Sequence, residues 1–169
     1  MKDHVSLLKQ VALFQGIHPA FLETIAESAH LRRFADGEVI IREGERGKSL
    51  FILLRGEVTV TKKMTLLGDE HEVSQVDKAL IRLKDSDHAF FGEMAMCDRE
   101  DVRSATVTAQ SDCTLLEIPA DAIESMVREH ADFGAQFYCN LATVLAERLR
   151  KANRDILKLT TALTLALES

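Results

Sequence analysis

The sequence predicts a mainly β domain, an antiparallel barrel or sandwich with short helices before it and a long helix after it. Three observations carry this. Apolar residues at both ends recur at helical spacing, whereas between His30 and Pro119 they fall in short β-type runs. Those runs are punctuated by glycine turns at Asp36-Gly37, Glu43-Gly44, Arg46-Gly47 and Arg55-Gly56, which suit an antiparallel barrel or sandwich and not a parallel α/β sheet. At 169 residues and 46% hydrophobic, the chain is long enough for one well-cored domain plus an appendage. The expected division is residues 1–30 as N-terminal helices, 31–118 as the β unit and 119–169 as C-terminal helices.

Residues 5–14 (VSLLKQVALF) have helical spacing, and Gly16 stops that turn. Pro19, at a first helical position, begins a second short helix, PAFLETIAESA. Strands are expected at LRRF, EVIIRE, SLFILL and EVTVTKK. Residues 63–78 are polar and weakly patterned, and read as a long hairpin connection before a further strand, ALIRLK. SATVTAQ and CTLLEIP complete the strands, and ADAIESMVREH returns to helix. The longest element runs from Asp132 to the end. Ala142, Leu149, Ile156 and Leu163 recur every seven residues, as do Leu145, Ala152, Leu159 and Ala166. That is an a/d seam on a helix of about 50 Å. Its first half can pack on its own barrel. The second half would overrun it, which points to a parallel homodimer seam or a helical lead into a further domain. TTALTLALES stops inside a heptad without a Gly or Asn cap, so a longer parent protein with an output domain is expected.

Composition excludes several functions. A net charge of −6 argues against non-specific nucleic-acid binding, and no Trp and one Tyr against an aromatic platform for single strands. No apolar run has the length of a membrane span, and the N-terminus does not read as a signal peptide. Cys97, Cys113 and Cys139, odd in number and widely spaced, suit buried thiols in a reducing cytosol better than disulfides. The histidines (His4, His18, His30, His71, His88 and His130) lack paired ligand spacing, so neither a metal nor a cupin-type metalloenzyme is expected. No nucleophile turn is present, and the chain does not read as an enzyme. Arg148, Arg150, Lys151 and Arg154, interleaved with Glu147 and Asp155, read as a solvated helix face.

The informative stretch is FFGEMAMCDREDVRSATV, in which eleven positions separate Gly92 from Arg103. An Arg offers a planar fork for two phosphate oxygens, and Ser104 can add a hydroxyl. Small residues at Gly92 and Ala95 let backbone N–H groups approach an anion. Glu93 helps only if the same ligand carries a hydroxyl donor, as a ribose does. A carboxylate for a sugar and an Arg-Ser pair for a phosphate describe a nucleotide. Spacing alone leaves open a Glu–Arg ion pair or two solvated side chains.

The stretch resembles the phosphate-binding cassette of cyclic-nucleotide-binding domains, at Phe91-Gly92-Glu93, Ala95 and Arg103-Ser104-Ala105-Thr106-Val107. The spacing and the Arg-Ser-Ala order look most like the bacterial catabolite activator branch. ADGEVIIREGERGKSLFILLRGEVTV resembles that family's glycine-spaced β-roll, and NLATVLAERLRKAN its C-terminal dimerisation helix. The resemblance implies a β-roll or jelly-roll barrel with a long dimerisation helix, serving as a sensor and not an enzyme. It places the ligand on Gly92, Glu93, Met94, Ala95, Arg103, Ser104 and Ala105. Glu93 would take the ribose 2′-hydroxyl, with Gly92 lining the ribose. Arg103 and Ser104 would take the cyclic phosphate, with N–H groups around Ala95 and Ala105. The purine would lie on the long helix, with Arg150 and Asn153 as candidates. Cyclic AMP is expected from the bacterial-type spacing, with no other cofactor. Cyclic GMP is the alternative, since a hydroxyl after the Arg goes with it in many eukaryotic relatives. Another alternative is a degenerate scaffold that keeps the fold without the ligand. Three departures stand out: Met94 and Met96 where leucines are usual, and an acidic run at 98–101. Family activators carry a helix-turn-helix after the long helix. This sequence ends shortly past Asn153, so no DNA-reading domain of its own is expected.

Overall fold

The structure, a computed structural model, describes residues 2–67, 73–97 and 102–167. Helix α1 (Lys2–Leu8), a 3-10 turn (Ala12–Phe14) and α2 (Pro19–Glu27) open the chain. Eight strands follow among the described residues: β1 (His30–Phe34), β2 (Val39–Ile41), β3 (Ser49–Arg55), β4 (Glu57–Leu67), β5 (Val73–Lys84), β6 (Phe90–Phe91), β7 (Thr106–Ala109) and β8 (Cys113–Pro119). Helices α3 (Ala120–Glu129) and α4 (Ala131–Leu167) close it. All strand pairs are antiparallel, in two four-stranded sheets ordered β1-β8-β3-β6 and β2-β7-β4-β5. This is the jelly-roll architecture with flanking helices that the sequence predicts.

Strand β3 shows how the layers form. Phe51 and Leu53 point into the sandwich, where they meet Val58, Phe91, Val107 and Leu115. Leu50 and Ile52 point the other way, onto the helices, with Leu116, Leu22, Ile25, Ile123 and Phe137. A strand covered on both faces reads as a continuous apolar run, and SLFILL is one.

Three details differ from expectation. The N-terminal helix does not reach Phe14, because Leu8, Val11, Leu13 and Phe14 are all buried. At about 100° per residue a continuous helix would put Val11 and Leu13 on nearly opposite sides, so the chain breaks into a 3-10 turn. Residues 63–78 are mostly strand, not connection: β4 and β5 pair as far as Leu67 and Val73. Beyond Thr61, β4 pairs only with β5, and a ribbon with no further neighbour on that side needs no apolar alternation. The two-residue strand β6 begins the cassette and was too short to see.

Helix α4 is rooted by Phe133, Phe137, Leu141 and Val144, all buried. Asn140 ties it to the N-terminal turn, donating from Nδ2 to the carbonyls of Leu13 (3.0 Å) and Gln15 (2.8 Å). From Glu147 onward every described residue of this helix is exposed, and Ile156, Leu157, Leu159 and Leu163 are each at least 60% so. Among the described residues no helix is long and apolar enough to cross a membrane.

Candidate functional site

The cassette lies where β6 turns into a 3-10 turn at Glu93–Met96. Gly92 makes that corner at φ +85°, and a Cβ there would lie 2.5 Å from the Ser49 carbonyl oxygen, so no other residue fits. The corner aims Glu93 inward, where it is 2% exposed.

Arg103 arrives from the opposite side. Its N–H donates to Glu45 O at 2.9 Å, and its carbonyl accepts from Gly44 N at 2.9 Å, while Arg46 bridges Val102. The glycine turn at 44–47 therefore straps the arginine in place. Gly47 leaves room for it, since a Cβ there would lie 3.0 Å from Arg103 Nε. The guanidinium is buried, 8% exposed, and donates to Ser49 O at 3.0 Å. It sits 5.9 Å from the Phe51 ring. Burial lowers its pKa, and the charge of Glu117 partly offsets this. Glu117 is itself engaged by Ser49 Oγ at 2.9 Å and by Arg32 at 3.7 Å. Among the described residues Arg103 forms no ion pair, so a buried cation stands ready for an anion.

Glu93 and Arg103 do not pair with one another. The Glu93 carboxylate is held by Arg148 of α4, whose Nη1 donates to Oε1. The same guanidinium donates from Nη2 to Phe90 O at 3.1 Å and lies 5.0 Å from the Phe90 ring. Ser104 Oγ donates to Met94 Sδ at 3.4 Å. These groups share a cavity of about 400 Å³, large enough for a small ligand, with an apolar wall from Ile41, Val60 and Leu83. Among the described residues no cluster of His, Cys, Asp or Glu can hold a metal ion.

A buried acceptor for a hydroxyl and a buried guanidinium without an ion pair among the described residues, in one cavity, agree with what the chain is similar to. The family model described as cyclic nucleotide-binding domain matches residues 31–130. The chain belongs to this family. It is 32% identical to cGMP-dependent protein kinase, isozyme 1 of Drosophila melanogaster over 92% of its own length and 19% of the kinase. It is 27% identical to the cAMP-activated global transcriptional regulator CRP of Pasteurella multocida, covering 80% of this chain and 58% of that one. The solved structure of the Thermus thermophilus catabolite activator protein aligns with TM-score 0.68 at 26% identity, over 89% of this chain and 63% of that one. The chain thus spans only part of the relatives it matches, as a regulatory cyclic nucleotide-binding domain.

Within this cyclic nucleotide-binding domain the structure brings together Gly92, Glu93, Met94, Arg103, Ser104 and Ala105 around the cavity. Ala95 lies in the 3-10 turn, with its side chain outside the described residues, as is the acidic run 98–101. Arg150 and Asn153 are exposed on α4, and neither lines this cavity. Helix α4 presents Arg148, Lys151, Ala152 and Asp155 instead. Positions 148, 152 and 155 recur at i, i+4 and i+7 and share one face, from which 150 and 153 are turned away. Arg148 is a correction: its guanidinium is engaged at Glu93, not solvated with the rest of the basic cluster. Its partner is 55 residues away, so no local pattern marked it in the sequence.

Proposed function

We propose that this chain is a cytoplasmic cyclic nucleotide sensor that reports ligand occupancy through α4. Glu93 accepts the ribose 2′-hydroxyl and Gly92 lines the ribose. Arg103 pairs with the cyclic phosphate, with donors from Ser104 and from N–H groups around Ala95 and Ala105. The residues 31–118 serve as the ligand-binding unit, the first thirty residues as its helical cover and 119–169 as the transmission and dimerisation element. The three thiols are free and support a reducing compartment, although only Cys113 is buried as expected and Cys97 and Cys139 are exposed.

The observation that carries this reading is the grip of Arg148 on Glu93. The carboxylate meant for the ligand is already bound by the long helix. A ribose hydroxyl arriving there joins the same carboxylate, and so favours one placement of α4 over others. The exposed a/d residues Leu149, Ile156, Leu159 and Leu163 support a parallel homodimer through this helix. A net charge of −6 supports a domain that does not hold DNA by itself.

Cyclic AMP is the proposed ligand, supported by the cassette spacing and the likeness to catabolite activators. The Ser104 hydroxyl, whose described acceptor is only a thioether, favours cyclic GMP as the second reading, as does the likeness to a cGMP-dependent kinase. Thermal-shift and calorimetric titrations with both nucleotides decide. A true ligand raises the melting temperature by mass action, and a mere scaffold responds to neither. Arg103→Ala should weaken binding by about 2 to 3 kcal/mol, the range of a charged hydrogen-bonding partner removed from phosphate. Unchanged affinity in Arg103→Ala would sink the site assignment.

A further inference from the structure

The cassette carries three sulfur side chains in four positions, Met94, Met96 and Cys97. Their settings differ. Met96 is partly buried and packs against the helix-side core. Cys97 is exposed, but burial and then the charge of Glu93 raise its pKa, which keeps it in the less reactive thiol form. Met126 is buried. Met94 is 52% exposed, lines the cavity, and its Sδ accepts the Ser104 hydroxyl at 3.4 Å. Among the methionines whose side chains are described, it is the one open to solvent. A leucine would fill the same space, so packing gives no reason for sulfur here.

We propose that Met94 is an oxidation site through which a hydroperoxide lowers nucleotide binding, which rests on the reading of Ser104 as a phosphate donor. In the reaction a lone pair on Sδ attacks one peroxide oxygen. The O–O bond breaks as the S–O bond forms, and the proton of the attacked hydroxyl moves to the departing oxygen, which leaves as water from hydrogen peroxide or as an alcohol from an organic hydroperoxide. Sulfur is oxidised and the peroxide reduced. A thioether is a weak acceptor, so the unmodified side chain releases the Ser104 hydroxyl readily to a phosphate oxygen. A sulfoxide oxygen is a strong one. It keeps that hydroxyl, and it places the negative end of the S–O dipole in a cavity that must accept an anion. Loss of one hydrogen bond to a charged phosphate corresponds to about tenfold weaker binding.

The test treats the chain with hydrogen peroxide and follows Met94 by a gain of about 16 Da on its peptide. Calorimetry with cyclic AMP and cyclic GMP is run before and after. Met94 should be modified ahead of Met96 and Met126, affinity should fall about tenfold, and methionine sulfoxide reductases should restore it. Met94→Leu should bring the ratio of affinities before and after peroxide to one, whatever its starting affinity, while Cys97→Ser keeps the wild-type ratio. Unchanged affinity at complete Met94 oxidation overturns the proposal, as does a loss that persists in Met94→Leu. Absence of binding before peroxide overturns the reading of the cassette itself, and this proposal with it.

Discussion

Arg148→Met isolates the bond between the long helix and the cassette. Methionine keeps an unbranched stem against the Phe90 ring and removes the charge. Glu93 then keeps its buried position, with a side chain 3% exposed, and loses its cation. Breaking a fully buried pair costs about 3–5 kcal/mol. The Arg148 side chain is 41% exposed, so water screens this pair and about 2 kcal/mol is the fitting share. The bond from Nη2 to Phe90 O adds about 1 kcal/mol. The sum of about 3 kcal/mol lowers the melting temperature by roughly 6 to 12 °C in a chain of this size. Urea unfolding without nucleotide, followed by circular dichroism, measures it. In a Glu93→Gln background the same substitution should cost only about 1 kcal/mol, a coupling of about 2 kcal/mol between the two positions. A cost below roughly 0.5 kcal/mol, or one unchanged by Glu93→Gln, refutes the claim that Glu93 holds the helix.

Other outcomes follow from the same geometry. Gly92→Ala forces a side chain into left-handed backbone 2.5 Å from a carbonyl oxygen, and should lower stability by about 2 kcal/mol or more in the same urea assay. Cys97 alkylation by iodoacetamide, mapped by mass spectrometry, should rise only at a pH above that of a free cysteine, because a raised pKa shrinks the thiolate fraction at each pH. Its folded pKa lies above the unfolded value, so the native chain holds the proton longer and this group's contribution to stability falls as pH rises above the ordinary thiol range. Glu93→Gln should move the alkylation profile down only part of the way, since burial is the larger cause. Leu159→Asp alters an exposed position, and should convert the proposed dimer to monomer in sedimentation while leaving the melting profile of the monomer's core intact.

What the sequence revealed depended on how local the cause was. The turns at Gly37, Gly44 and Gly56 adopt positive φ, a demand one residue can announce, and so the strands between them were readable. SLFILL announced a doubly covered strand for the same reason. The β4–β5 ribbon was not readable beyond Lys63, because there β4 pairs with β5 and no longer with β7. At the site, Gly92, Glu93 and Arg103 were legible through a motif, while the partner of Glu93 was not. A long-range ion pair leaves no periodic trace, and the fold alone decides that Arg148 meets Glu93 and not Arg103. Arg150 and Asn153 lie off the cavity face of α4, because at about 100° per residue a shift of one or two positions turns a side chain away.

The two hydrogen bonds from Asn140 Nδ2 to the carbonyls of Leu13 and Gln15 give α4 a fulcrum. Arg148 sits eight residues beyond it, about 12 Å along the axis, and Leu167 sits about 40 Å out. For a stiff rod hinged at that point, the tip travels more than three times as far as the grip. A sideways shift of about 1 Å at Arg148 would become roughly 3.4 Å at the leucine-rich end. Such a displacement is transverse to the axis and exceeds a third of the about 9 Å that separates packed helix axes, enough to change which side chains on a neighbouring helix would meet it.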